Sequence, residues 1–207
     1  MTRSEHIESE VHASPGRPRE FDMDEALDRA IRVFRERGYH ATSISTLSDA
    51  MEIATGSVYK AFKDKRAVFL AALDRYSEKR AEQVRRVLAN GRPGRDRLRD
   101  LLEFYVASSC GVEGRRGCLV VGTAVELAAH DKEIAARVAV VLERNETTVR
   151  DLIRAGQDDG SIPRTVDAEA TARLILCITQ GMRVLGRTPR GAATAKSVVE
   201  PAMKLLA

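Results

Sequence analysis

Hydroxyl, glycine, tyrosine and lysine residues are grouped between positions 42 and 65. Hydroxyl groups and cations of this kind contact phosphate oxygens and base edges, and a glycine lets a backbone approach a partner closely. The chemistry suited to these residue types is recognition of a nucleic acid by hydrogen bonds. The candidates are Thr42, Ser43, Thr55, Gly56, Ser57, Tyr59, Lys60, Lys63 and Lys65.

Histidine and cysteine residues do not form a catalytic or metal-binding pattern. They have no CxxC spacing, and the chain has no nucleophile motif or phosphate-binding loop. We therefore expect no cofactor and no metal, and a helical enzyme is disfavoured. The histidines are His6, His12, His40 and His130, and the cysteines are Cys110, Cys118 and Cys177.

Cys118 has two interpretations. It stands at the start of a predicted helix, where the helix dipole favours a thiolate, and Arg115 and Arg116 are close in sequence. It is therefore a candidate redox or electrophile-sensing residue. Cysteine is also among the residues most often buried, so inert packing is the alternative for all three cysteines.

The distribution of charge argues against a broadly basic surface. The chain of 207 residues has a net charge of +4, yet residues 1–66 contain 11 Lys and Arg against 12 Asp and Glu. An architectural DNA binder that ignores sequence needs a basic face, so this class is disfavoured. No apolar run reaches the length of a membrane span and no apolar signal segment opens the chain. We therefore expect a cytoplasmic protein without a membrane partner.

Periodic apolar residues predict an all-α fold. Asp22 is a candidate N-cap for a first helix that Gly38 ends, and two short helices beginning near Thr42 and Thr55 form a helix-turn-helix pattern. Asp64 can cap a long helix that runs to about residue 90. An aromatic content of only 4% also suits helices packed through small aliphatic side chains. Further helices are predicted at about 96–109, 118–129, 132–157, 167–185 and 192–206.

The chain divides into three predicted parts. A basic, proline-containing arm spans 1–20, a three-helix helix-turn-helix domain spans 21–66, and a larger helical ligand-binding and dimerisation domain spans 67–207. In the arm, Arg17 and Arg19 flank Pro18. Such a segment can enter an A·T-rich minor groove, and a solvated linker explains the two arginines as well.

Residues 38–65, with the sequence GYHATSISTLSDAMEIATGSVYKAFKDK, resemble the DNA-binding signature of the TetR family of transcriptional regulators. Two positions depart from the family pattern, which usually has glycine where this chain has Glu52 and serine where it has Ala54. A non-glycine residue at positive φ costs about 1 kcal/mol, and an alanine N-cap loses about as much unless Thr55 takes over as the cap. The matching residues are Gly38, Tyr39, Thr42, Ser43, Ile44, Leu47, Ala50, Ile53, Gly56, Ser57, Val58, Tyr59, Phe62 and Lys65.

The helix from Thr55 to Lys63 is predicted to lie in the major groove of DNA. Thr42 and Ser43 stand at a helix start, where free backbone N–H groups can hold a phosphate, or the two residues can simply cap the helix. Lys65 lies in the first turn of the long helix. The helix dipole disfavours a cation there, so a phosphate partner would explain it.

The resemblance implies a homodimeric, ligand-relieved repressor of a near-palindromic double-stranded operator. It also implies a pocket for an unknown small-molecule effector among the middle helices and a dimer interface on the last two long helices. Thiol-based sensing is the alternative within the same fold. Core packing competes with each apolar assignment, and Pro201 is expected to kink or break the last helix. The ligand candidates are Phe104, Val121, Val125, Leu152 and Met182, and the dimer candidates are Leu174, Ile178, Val198 and Leu205.

Overall fold

A computed structural model describes residues 22–189 and 197–207. All regular elements in these two ranges are helices, which confirms the predicted all-α fold. Within the same ranges, no helix combines the length and the apolar character that a membrane span requires. The helices are α1 (Met23–Arg37), α2 (Ile44–Met51), α3 (Thr55–Ala61), α4 (Lys65–Leu88), α5 (Gly94–Ser108), α6 (Gly111–Arg116), α7 (Leu119–Glu126), α8 (Lys132–Asp158), α9 (Ala168–Leu185) and α10 (Val199–Met203), followed by a 3-10 turn (Lys204–Leu206).

The first helix begins and ends where its sequence signals stand. The Asp22 side chain accepts hydrogen bonds from the backbone N–H groups of Asp24 and Glu25, and Gly38 ends the helix with a φ of 81°. Acidic residues in the first turn and basic residues in the last turn match the helix dipole. One apolar face of α1 is buried against α2 and α4. This packing makes α1 the support of the helix-turn-helix.

The turn between α2 and α3 contains a strained residue. Glu52 lies in the left-handed region with φ 57° and ψ 40°, and its carboxylate pairs with Arg29. Ala54 is the N-cap of α3 and makes no side-chain capping bond. The suggestion that Thr55 takes over as the cap is wrong, because its hydroxyl donates to Ser48 Oγ at 3.1 Å.

Two apolar clusters form the core, and α4 belongs to both. The first cluster joins α1, α2, α3 and the first half of α4 to Leu119 and Val120 of α7 and to Ile134 of α8. The second cluster joins Leu88 at the end of α4 to α5, α9, α10 and the second half of α8. The core therefore does not divide at residue 66. The helix α7 packs directly against α1 and α4 in the first cluster.

The helices α5 and α8 approach each other closely at two glycines. A Cβ atom added to Gly94 would lie 2.2 Å from the backbone nitrogen of Gly156. The Gly94 N–H also donates to Asp159 Oδ2 at 2.7 Å. These contacts fix the start of α5 against the end of α8.

Two features of the C-terminal part differ from the predictions. The short helix α6 was not predicted, because it contains Gly111 and Gly114 and has no apolar period. The predicted helix 192–206 lies partly outside the described residues, and α10 begins at Val199. Pro201 falls in the first turn of α10, where a missing N–H has no intrahelical acceptor. The expected break at Pro201 is therefore wrong.

Candidate nucleic-acid interface and internal cavity

The helix α3 turns most of the predicted recognition residues outward. Val58 is completely buried in the first core cluster and anchors the helix. On the other side of α3, the Tyr59 side chain is 55% exposed. The remaining candidates on this segment are the exposed Thr55, Gly56, Lys60 and Lys63 and the half-buried Ser57.

Gly56 is not required by the packing of the chain itself. A Cβ atom added there would meet no described atom within 4 Å, and its φ does not lie in the left-handed region. Glycine is a poor helix former compared with alanine, so intramolecular structure gives no reason for it. Its place on the exposed side of α3 suits a partner that comes close to the helix backbone.

Thr42 and Ser43 have different roles at the start of α2. Ser43 is the exposed N-cap, and its Oγ accepts a hydrogen bond from Thr46 N at 3.0 Å. Thr42 is buried, and its hydroxyl donates to Gly38 O at 2.6 Å. The Thr42 hydroxyl is therefore occupied within the turn, and only Ser43 offers an accessible side chain for the predicted phosphate contact.

Lys65 has a partner within the protein. Its Nζ atom donates to Tyr39 O at 3.1 Å and lies 4.2 Å from the centre of the Tyr39 ring. A cation held by a carbonyl and an aromatic face is stabilised without a phosphate. The position of Lys65 in the first turn of α4 is therefore no argument for DNA contact. The Lys65 side chain is half-buried.

The turn between α1 and α2 is held by a carboxylate at the end of α7. Glu126 accepts hydrogen bonds from Tyr39 N at 2.9 Å and from His40 N at 2.7 Å. Gly38 is necessary beside it, because its φ is 81° and an added Cβ would lie 2.8 Å from Glu126 Oε2. The carboxylate therefore fixes the chain immediately before α2.

Two arginines make further links between the helix-turn-helix and the rest of the chain. Arg35 of α1 is 9% exposed, and its Nε donates to Gly117 O at 2.8 Å. Arg66 of α4 forms a fork with Asp131, at 2.9 Å, and Glu133, at 2.8 Å, at the start of α8. No local sequence motif marks Glu126 or either arginine, because their partners are far away along the chain.

A cavity of about 40 Å³ lies among α4, α5, α7, α8 and α9. Its polar wall contains Tyr76, Arg80, Tyr105, Cys118 and Arg183, and Val84, Val120 and Val141 are among its apolar lining residues. The lining includes no carboxylate. The position of this cavity, next to the start of α7, makes it a candidate ligand site.

The five apolar ligand candidates from the sequence do not line this cavity. Leu152 and Met182 are buried in the second core cluster, and Val125 is 80% exposed. Phe104 lies under the Arg80 guanidinium, with 4.4 Å from the ring centre to the guanidinium carbon. Val121 is half-buried on α7. Hydrophobicity alone did not separate lining residues from core residues.

Cys118 is the N-cap of α7, and its Sγ atom lies 3.6 Å from Tyr76 Oη. Burial raises the pKa of this thiol. The positive charge of Arg183 and hydrogen bonds from Val121 and Tyr76 lower the pKa by more than burial raises it, so the net shift is downward. Burial raises the pKa of Tyr76. The cation that acts on Cys118 is therefore Arg183 of α9.

The arginines that are close to Cys118 in sequence do not serve this purpose. Arg116 pairs with Glu36 and Glu113, and Arg115 is exposed. Arg116 is therefore engaged by two carboxylates, and the cation that lowers the pKa of Cys118 comes from α9.

The helix α9 carries an exposed apolar face that includes one of the predicted dimer residues. Leu174, Val184 and Leu185 are 47%, 51% and 48% exposed, and Cys177 lies exposed between them. The other three dimer candidates, Ile178, Val198 and Leu205, are half-buried against the second core cluster.

Two further predictions concern the arm and metals. Arg17 and Arg19 lie outside the described residues. Within residues 22–189 and 197–207, His, Cys, Asp and Glu side chains do not gather in groups of three that would suit a metal ion.

A short exposed helix, held by a buried valine behind a sharp turn and joined to a larger helical body, defines a helix-turn-helix protein. The sequence profile described as "Bacterial regulatory proteins, tetR family" matches residues 26–72, and the profile described as "Tetracyclin repressor-like, C-terminal domain" matches residues 94–199. The chain belongs to the TetR family of transcriptional regulators.

Individual relatives cover most of the chain. The HTH-type transcriptional repressor ComR of Escherichia coli is 29% identical over 86% of this chain and 85% of its own length. The uncharacterized HTH-type transcriptional regulator YezE of Bacillus subtilis is 34% identical over 77% of this chain and 83% of its own length. A solved structure of a cysteine mutant of the TetR family regulator CifR, complexed with 26-bp operator DNA, is 32% identical, covers 93% of this chain and 100% of that chain, and has a TM-score of 0.81.

Proposed function

We propose that this regulator is a homodimeric repressor that binds a near-palindromic operator through α3 of each subunit and leaves it when an effector binds. The observation that carries the DNA-binding surface is the outward face of α3, with open space above Gly56 and the exposed Tyr59 and Lys60 beside it. The solved CifR complex with operator DNA and the repressor ComR support this assignment. As a bacterial DNA-binding protein, it would act in the cytoplasm.

The outer face of α3 suits the major groove. Small residues at its start, Thr55 and Gly56, allow a close approach, while Tyr59 and Lys60 reach phosphates or base edges. Lys63 follows the helix and adds a second exposed cation. Ser43, at the exposed start of α2, is placed to hold a phosphate beside the groove.

Dimerisation is supported by the face of α9. Three exposed aliphatic side chains on one helix are costly to leave in water, and Gly181 lies on the same exposed face. An added Cβ on Gly181 would meet no described atom within 4 Å, so the chain's own packing does not require glycine there. A second α9 that packs closely across this face explains both features. Two α3 helices can then enter successive major grooves about 34 Å apart.

Effector control is supported by the links between the cavity and the helix-turn-helix. Cys118, the N-cap of α7, lies at the cavity, and Glu126, the last residue of α7, lies at the turn before α2. Arg35 and Arg66 attach the same DNA-binding part to Gly117 and to the start of α8. A ligand that shifts α7 changes the position of α3, and a small change in the separation of two α3 helices prevents simultaneous contact.

The test begins with DNA fragments of the source genome that the purified protein retains, followed by titration of a retained fragment. Tyr59→Ala should weaken binding by about 10- to 100-fold and leave the dimer intact. Lys60→Ala should weaken binding and lower the slope of log affinity against log salt by about 1, as expected for one lost phosphate contact.

Lys204→Ala, a matched exposed lysine in the C-terminal 3-10 turn, is the control and should bind like the wild type. Unchanged affinity in both α3 variants would remove α3 as the DNA-binding surface.

Thiol-based sensing by Cys118 is a second candidate for the control step, favoured by the downward pKa shift that Arg183 and Tyr76 produce. The sulfur would add to an alkene carbon of an electrophile such as N-ethylmaleimide, and the adjacent carbon would take a proton from water. Cys118→Ser should then bind the operator but keep it in the presence of N-ethylmaleimide. Release by the reagent from this variant would exclude Cys118 as the sensor.

A further inference from the structure

Arg80 and Arg183 carry positive charges that no carboxylate in the described part of the chain neutralises. Arg183 is 4% exposed, and its guanidinium donates to Ser108 O and to Tyr76 Oη, both at 2.9 Å. Arg80 donates to Ser108 Oγ at 2.9 Å and to Gln83 Oε1 at 3.0 Å. All these acceptors are neutral. Arg80 is half-buried and also lies over the Phe104 ring, 4.4 Å from its centre, whereas Arg183 is buried. Because buried cations are normally paired with an acid, Arg183 in particular requires an explanation.

The two guanidinium groups stand close enough to oppose each other electrostatically. Burial lowers the pKa of Arg80, and the charge of Arg183 lowers it further. Arg75, by contrast, pairs with Asp28 at 2.8 Å. The acidic groups of the cavity wall are Cys118, Tyr76 and Tyr105, and burial raises the pKa of both tyrosines. A Cys118 thiolate would therefore be a single negative charge facing two guanidinium groups.

A second hollow meets the same two arginines from the protein surface. This groove, of about 320 Å³, shares Tyr76, Arg80 and Arg183 with the cavity and is also lined by Arg32 and Lys79. Its two acids are already engaged, since Asp28 pairs with Arg75 and Lys79, and Glu113 pairs with Arg35 and Arg116. The groove therefore attracts anions toward the arginine pair.

We propose that Arg80 and Arg183 bind the acidic group of a small organic carboxylate, whose short aliphatic part occupies the cavity beside Val84, Val120 and Val141. A guanidinium fork matches the two oxygens of a carboxylate. A cavity of about 40 Å³ has room for about three water molecules, which suits a short chain rather than a long acyl group. The inference rests on the proposed function, because it assigns a chemical class to the effector.

The chemistry links binding to the control step. The Arg183 guanidinium now donates a hydrogen bond to Tyr76 Oη, and a bound carboxylate would compete with Tyr76 for that N–H group. The carboxylate would also place a negative charge beside Cys118 at the start of α7. The ligand therefore acts on the end of α7 opposite to Glu126.

The binding test uses the purified full-length protein with acetate, butyrate and hexanoate, with butyramide as the uncharged match for butyrate, and with inorganic phosphate and methanesulfonate as other anions. We expect butyrate or hexanoate to raise the melting temperature and to give heat in isothermal titration, while butyramide does neither. Equal effects of butyrate and butyramide, or binding of phosphate or methanesulfonate without any carboxylate, would overturn the proposal.

Variants locate the site. Arg80→Met and Arg183→Met keep most of the aliphatic stem and should each weaken butyrate or hexanoate binding by about tenfold or more. Arg154→Met, which removes an exposed arginine paired with Glu169, is the matched control and should bind like the wild type. Normal carboxylate affinity in both cavity variants would refute the site.

A wild-type measurement keeps the proposal testable if the Arg183 variant does not fold. Alkylation of Cys118 by iodoacetamide, followed by peptide mapping, should slow when butyrate or hexanoate fills the cavity, and butyramide should have no effect. An unchanged rate at saturating carboxylate would place the ligand elsewhere.

Operator binding separates this inference from the proposed function. If a carboxylate binds but the operator is not released, the anion site is supported and its role as the effector site is refuted. If only uncharged compounds release the operator, the proposed repressor function is supported and the anion site is refuted. A protein that retains no DNA but binds butyrate through Arg80 and Arg183 contradicts the proposed function alone.

Discussion

Replacement of Glu126 by glutamine tests whether α7 holds the turn before α2. The Glu126 carboxylate accepts from Tyr39 N at 2.9 Å and from His40 N at 2.7 Å. Glu126→Gln keeps one carbonyl acceptor and turns an NH₂ group toward the other backbone N–H. The variant therefore loses one charge-assisted hydrogen bond, worth about 1.5–3 kcal/mol, and weakens the other.

The expected result is local. Because about 1.4 kcal/mol corresponds to a factor of 10, amide hydrogen exchange at Tyr39 and His40 should become about 10- to 100-fold faster. The free energy of unfolding should fall by only about 1 kcal/mol, because the bond to His40 is exposed to water. Both quantities are measured at one protein concentration, by NMR and by urea unfolding.

The matched control is Glu143→Gln, an exposed glutamate of α8. It removes the same charge without touching the turn and should leave both amides protected. Unchanged exchange at Tyr39 and His40 in Glu126→Gln, or an equal increase in Glu143→Gln, would refute the argument that this carboxylate fixes the turn.

Three other substitutions have expected effects on urea unfolding. Glu52→Gly should raise the free energy of unfolding by about 0.5–1 kcal/mol, because it relieves a non-glycine residue at φ 57° and costs only an exposed ion pair. Gly94→Ala should lower it by about 2 kcal/mol or more, because the added carbon would lie 2.2 Å from a backbone nitrogen of α8. Asp28→Asn should lower it by about 1 kcal/mol at pH 7, after allowance for solvent screening, because a hydrogen bond from Arg75 lowers the pKa of Asp28 from 3.8 to about 2. A depressed carboxyl pKa stabilises the folded state above about pH 4, so the difference from the wild type should shrink as the pH falls from 4 toward 2, and a constant difference would contradict this cause.

Helix starts could be predicted from sequence because their signals are local. Asp22, Asp64 and Asp167 each cap the helix that follows, with side-chain oxygens that accept from backbone N–H groups two or three residues beyond the cap. The same locality explains the position of α3, whose buried Val58 and exposed Tyr59 follow the family signature. Capping and apolar spacing act within one turn of helix, so one sequence contains them completely.

Contacts between distant segments could not be predicted in the same way. Helix-dipole reasoning assigned Lys65 an external phosphate, but the tertiary structure supplies the Tyr39 carbonyl and ring. Neighbours in sequence suggested Arg115 and Arg116 as partners of Cys118, but the fold supplies Arg183 from α9. In each case the residue type was informative, and the identity of its partner depended on packing.

The two ends of α7 are both bonded to the segment that carries the helix-turn-helix. At its start, Gly117 O accepts from Arg35 near the end of α1, and at its end Glu126 accepts from the turn just after α1. The eight residues of α7 span about 12 Å, so the bonds are far enough apart to resist tilting as well as sliding. A displacement of Cys118 by a ligand in the cavity therefore cannot be absorbed by α7 alone. We expect it either to move α1 together with the turn before α2 or to break one of the two attachments, and either change would weaken the support that positions α3.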